Sequence, residues 1–63
     1  MYIVQAWNAG HPPTTWRTWE SAYRRARGEA RHAKRMGFDM MICITRRATG
    51  RHWYVGPSGR VYK

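Results

Sequence analysis

The pattern of hydrophobic and polar residues divides the chain into strand-like and helix-like parts. Residues 2–7 are rich in β-branched and aromatic side chains and precede the turn-forming residues 8–10, which predicts a strand followed by a turn. Residues 11–15 contain Pro12 and Pro13, so we expect a loop here. The pattern fixes neither the pairing partner of the first strand nor its direction.

Apolar residues recur at helical spacing from Trp19 to Gly37, which predicts an amphipathic helix that ends near Met36. Thr15 or Thr18 can cap its N-terminus, and Gly37 suits the left-handed conformation in which many helices end. We expect one apolar stripe to lie against a sheet; it comprises Trp19, Ala22, Tyr23, Ala26, Ala30, Ala33 and Gly37.

After the predicted helix, apolar residues recur at every second position, which indicates strands. Residues 38–45 alternate so that one set of side chains would face the helix, namely Phe38, Met40, Ile42 and Ile44. We expect a second strand at 52–55 and a closing strand at 60–63, with turns at 46–51 and 56–59.

These elements predict an α+β fold of the order β-α-β-β-β, in which one amphipathic helix packs on a small, mainly antiparallel sheet. The last three strands form an antiparallel meander. Because 63 residues provide material for one hydrophobic core, we interpret residues 1–63 as a single basic domain.

The charge of the chain indicates its class of partner. Twelve Lys and Arg against three Asp and Glu give a formal net charge of +9. Ten of the twelve cations are Arg, whose planar guanidinium suits phosphate and stacks on bases. A hydrophobic content of 43% is enough to fold, unlike that of a disordered basic tail. We therefore expect nucleic acid as the partner, with DNA and RNA both open.

Several other classes of protein are disfavoured. The single cysteine, Cys43, excludes an intrachain disulfide, and the scattered His residues match no metal-binding spacing, so we expect neither a metal nor another cofactor. No apolar run approaches the roughly 20 residues that span a bilayer, and the N-terminus lacks a basic signal-peptide region. We expect a soluble, cytoplasmic protein without a membrane partner.

The predicted nucleic-acid site combines a helix flank with a hairpin. The flank lies about 60° to 160° around the helix from Trp19. It carries Arg24, Arg27, Arg31, Lys34 and Arg35. The hairpin interleaves cations with side chains that can stack on bases, and comprises Arg46, Arg47, Arg51, His52 and Tyr54. We expect the hairpin arginines either to continue the row of phosphate contacts made by the helix or to enter a groove.

The sheet face opposite the helix is predicted to be semi-apolar. We expect Trp53 and Val55 to meet the helix, because adjacent strand residues point to opposite faces. The open face would then carry Met41, Cys43, Thr45, His52 and Tyr54. Two alternatives remain for it: a homodimer surface, or side chains that cover one another within one chain.

The sequence carries little that indicates catalysis. It has no paired carboxylates on one helix face and no nucleophile beside a base. Residues 49–54, after a Gly-Phe and a strand, resemble the Gly-x-His segment of HicA-type toxins, which are small basic ribonucleases. That resemblance implies acid–base chemistry at His52. The chain departs from the family by an extra strand in front, a longer gap from Gly37 to His52 and no C-terminal helix. We therefore predict no enzymatic activity, with a HicA-like ribonuclease as the alternative.

The leading prediction is a small basic protein that binds nucleic acid through its phosphate backbone. The competing prediction is a phage-type effector or inhibitor that docks its basic surface on an acidic or DNA-processing host protein. Electrostatic attraction would speed association with either partner, so charge alone does not separate the two.

Overall fold

The computed structural model describes residues 1–6 and 12–63. They form β1 (Tyr2–Gln5), β2 (Thr14–Trp16), α1 (Trp19–Arg35), β3 (Ile42–Arg46), β4 (Arg51–Val55) and β5 (Val61–Tyr62). The strands make one sheet in the order β2-β1-β3-β4-β5, with every neighbouring pair antiparallel. The helix covers one face of this sheet, which confirms the predicted α+β class.

The structure gives the first strand the partners that the sequence left open, and it adds a second strand before the helix. β1 lies inside the sheet, where Ile3 pairs with Thr15 of β2 on one side and with Thr45 of β3 on the other. The predicted loop at 11–15 is wrong at its end, because Thr14–Trp16 forms an edge strand. Thr and Trp favour extended backbone once the two prolines have passed. Trp7 and the predicted turn at 8–10 lie outside the described residues.

Both ends of α1 follow the predicted capping. Thr18 is the N-cap, and its hydroxyl accepts a hydrogen bond from the backbone N–H of Ser21 at 3.2 Å. At the other end Gly37 has a φ of 89°, and the N–H of Phe38 donates to the carbonyl of Ala33 at 2.8 Å. This is a Schellman motif, which pairs carbonyls that the helix leaves free.

The core forms between the alanine stripe of α1 and the sheet. Ala22, Ala26 and Ala30 are fully buried, and their small side chains allow the helix backbone to lie close to the strands. The sheet contributes its own buried residues, which are Val4, Ile42, Ile44 and Val55. An aromatic group closes the N-terminal end of the helix, where the Trp19 and Trp53 ring centroids lie 4.9 Å apart.

The strand predicted at 38–45 begins later than expected. Phe38 is 64% exposed and lies outside the sheet, and β3 starts only at Ile42. The reason is the helix end: the Schellman motif uses Gly37 and Phe38 to reverse the chain, and the following residues carry it back to the sheet. The expectation that Phe38 faces the helix is therefore wrong, whereas Ile42 and Ile44 do so.

No helix among residues 1–6 and 12–63 has both the length and the apolar character needed to cross a membrane.

Candidate nucleic-acid interface

A basic cleft lies between the C-terminal half of α1 and the turn that joins β4 to β5. One wall carries Arg31, Lys34 and Arg35, and the other is formed by Pro57 and Ser58. The cleft has a volume of about 520 Å³ and no acidic residue in its lining. We call it the basic cleft.

A hydrogen bond from α1 fixes the β4–β5 turn, which forms one side of the basic cleft. The Tyr23 hydroxyl donates a hydrogen bond of 2.6 Å to the carbonyl of Gly59. Gly59 has a φ of 89°, and a Cβ added to it would lie 2.8 Å from that hydroxyl, so this position requires glycine. The Cδ atom of half-buried Arg27 would lie 3.4 Å from the same Cβ, which places the Arg27 side chain along the turn.

Two arginines nearer the N-terminus of α1 have carboxylate partners. Arg25 pairs with Glu29 at 3.1 Å, and Arg24 pairs with Glu20 at 3.6 Å. Arg24 and Arg25 together line a separate groove of about 730 Å³ with apolar side chains of residues 36–42. Arg24 therefore lies at the N-terminal end of the predicted row of cations and lines a different groove from Arg31, Lys34 and Arg35.

The hairpin arginines do not continue the row of cations on the helix. Arg46, Arg47 and Arg51 lie at the β3–β4 turn, whereas the basic cleft lies beside the β4–β5 turn. The length of β4, about 15 Å at 3.3 Å per residue, separates the two turns. Arg51 instead lies over the Trp53 ring, at 5.3 Å from its centroid. The structure therefore has two separate groups of cations, where one alternative from the sequence predicted a continuous row.

The open face of the sheet carries the side chains predicted for it on β3 and β4. Trp53 and Val55 pack toward the helix, and His52 and Tyr54 therefore point away from it. The His52 Nδ1 atom lies 2.9 Å from the Thr45 hydroxyl. We define the open face as Ile3, Gln5, Cys43, Thr45, His52, Tyr54 and Tyr62.

The site predicted from sequence left out three residues near the β4–β5 turn. Ser58 lines the basic cleft, and Tyr62 pairs with Tyr54 across the open face. Arg60 lies over the Tyr62 ring, with its guanidinium carbon 5.2 Å from the centroid. The available signal was the alternation of Arg60 and Tyr62, which puts both side chains on one face of a strand.

The described residues contain no group of three or more His, Cys, Asp or Glu side chains that could hold a metal ion. No Asp or Glu is a member of the open face, since the three acidic residues belong to α1 and to the segment before β3. His52 has a hydroxyl, not a carboxylate, as its hydrogen-bond partner. The absence of enzymatic activity stays a prediction, with acid–base catalysis at His52 as its alternative.

In comparisons with known proteins, the chain matches no protein-family model, no curated protein and no solved structure.

Proposed function

We propose that this protein binds nucleic acid by holding its phosphate backbone in the basic cleft. The observation that carries the proposal is the sorting of charges on α1. Arg31, Lys34 and Arg35 line a cleft without acids, while Arg24 and Arg25, which lie nearer the N-terminus of α1, have carboxylate partners. Cations kept away from carboxylates leave their hydrogen-bonding capacity for an external anion.

The chemistry of the basic cleft suits a chain of phosphates. Two guanidinium groups can each bond a phosphate in bidentate geometry, and the Lys34 ammonium adds a mobile point charge. Arg27 lies along the same turn, and Arg60 follows the turn on the side of the open face. Five cations are therefore grouped at the β4–β5 turn: Arg27, Arg31, Lys34, Arg35 and Arg60. A formal net charge of +9 raises the local concentration of any polyanion.

The double variant Arg31→Gln/Arg35→Gln tests this proposal. It should weaken binding to single-stranded and duplex oligonucleotides by about tenfold, because two charge-assisted phosphate contacts are lost. The measurement is fluorescence anisotropy at low salt with the full chain. The matched control is Arg24→Gln/Arg25→Gln, which removes the same charge from two arginines that carboxylates already engage. We expect the control to change affinity by less than about threefold, since it alters the general field alone.

Equal losses in the two double variants would show that binding follows net charge and not the basic cleft, and would contradict the proposal. Absence of binding to every DNA and RNA probe would overturn nucleic-acid binding itself and leave the acidic host protein as the surviving prediction.

A further inference from the structure

We propose that the open face of the sheet binds single-stranded nucleic acid by stacking unpaired bases on Tyr54 and Tyr62, with Arg60 contacting the backbone beside them. This inference rests on the proposed function and names its substrate class. The juxtaposition that carries it is a pair of exposed tyrosines on the uncovered face, next to a cation and next to the basic cleft.

The two tyrosines form one surface. Tyr54 and Tyr62 are direct partners on antiparallel strands, so their side chains leave the sheet on the same side, with Cβ atoms about 5 Å apart. They are 37% and 38% exposed, respectively. Aromatic rings of this kind offer faces on which bases stack without regard to sequence.

Tyr54 and Tyr62 lie outside the aromatic cluster of the core. The ring contacts among described residues join Tyr2, Trp19, Tyr23 and Trp53, which pack under the helix. Cys43 on the open face is buried, but more than a third of each of the two tyrosines remains exposed. Partly exposed aromatic side chains on a sheet face that the helix does not cover are typical of a binding surface.

Arg60 gives this surface its charge. Its guanidinium already lies over the Tyr62 ring, an arrangement that holds a cation beside a stacking platform. Arg60 directly follows the turn in which Pro57 and Ser58 line the basic cleft. A single strand passing round this turn would have phosphates in the basic cleft and bases on the open face.

The remaining groups of the open face also favour a polar, anionic ligand. Gln5, Thr45 and His52 supply donors and acceptors that base edges can use, and no Asp or Glu is among them. A duplex keeps its bases stacked on one another and hides their faces, so only unpaired bases can lie on the tyrosines.

A second copy of the chain is a poorer occupant of the open face. Each copy carries a formal charge of +9, so pairing two open faces would bring two strongly positive molecules together. Like charges brought together without intervening acids oppose association. The same charge attracts a polyanion.

Tyr54→Ala tests the inference, with Tyr54→Phe as the matched control that keeps the ring and removes only the hydroxyl. The probes are a single-stranded DNA and a single-stranded RNA of one sequence, each longer than roughly 16 nucleotides, and the corresponding DNA duplex. We expect Tyr54→Ala to weaken binding of the preferred single strand about tenfold and to leave duplex binding unchanged, because one stacked base is lost. Tyr54→Phe should bind as the parent chain does.

Tyr62→Ala provides a second route to the same result, and circular dichroism of each variant checks that the sheet is retained. Single-strand affinity that survives both alanine variants but falls in Arg31→Gln/Arg35→Gln would overturn the inference and leave the proposed function intact. If the parent chain bound none of the probes, both the inference and the proposed function would be overturned. A concentration-dependent dimer that Tyr54→Ala converts to monomer would show that a second copy covers the open face, and would also overturn the inference.

Discussion

Replacing Ile44 with alanine should lower the free energy of unfolding by about 2 to 5 kcal/mol. Ile44 is fully buried at the centre of the sheet, where its side chain packs against the alanine stripe of α1. A domain of this size has a total stability of about 3 to 9 kcal/mol, so the loss is comparable to the whole. Urea denaturation followed by tryptophan fluorescence measures it, and we expect a partly or fully unfolded variant at room temperature.

Ile3→Ala is the matched control for this prediction. The same side chain is shortened on the neighbouring strand, but Ile3 is only partly buried and lies on the open face. We expect a loss of less than about 1.5 kcal/mol, because less apolar surface returns to water. If Ile3→Ala cost as much as Ile44→Ala, the open face would be covered in the free protein and could not serve as a binding surface.

Raising monovalent salt from about 50 mM to about 200 mM should weaken single-strand binding by about 100-fold. The five cations grouped at the β4–β5 turn, Arg27, Arg31, Lys34, Arg35 and Arg60, would displace counterions from about five phosphates. Each phosphate contact contributes about −0.7 to the slope of log affinity against log salt for a single strand. The expected slope is therefore about −3.5, measured by anisotropy over a salt series.

The same titration on a duplex should give a slope of about −4.5 if as many phosphates are contacted, because the charge density of duplex DNA is higher. Affinity that stays constant across the series would contradict phosphate binding. A slope much steeper than −4.5 would show that Arg46, Arg47 and Arg51 at the far turn also contact the backbone.

The helix and its packing could be predicted from sequence because local rules determine them. The alanine spacing, the Thr18 cap and Gly37 each act within a few residues, and all three agree on one helix. Non-local pairing could not be predicted in the same way. β1 lies between two partners and β2 has only three residues, and neither fact leaves a periodic pattern in the chain.

The candidate site was predictable in its composition and only partly in its location. Angles around a helix correctly group Arg31, Lys34 and Arg35, because they depend on helix geometry alone. They do not show that a turn from the other end of the chain completes the basic cleft. The position of that turn depends on the long-range strand pairs, whereas the pair of Arg24 with Glu20 is a local i,i+4 contact of the helix.

The most direct test of a nucleic-acid interface at this end of the molecule is a map of backbone amide chemical shifts during titration of the isotope-labelled chain with a single-stranded oligonucleotide. We expect the largest changes at residues 31–35 and 58–62, with smaller ones along the open face at 52–54. Changes confined to residues 46–51, or to the acid-paired residues Arg24 and Arg25, would contradict the account, as would a spectrum that does not change at all.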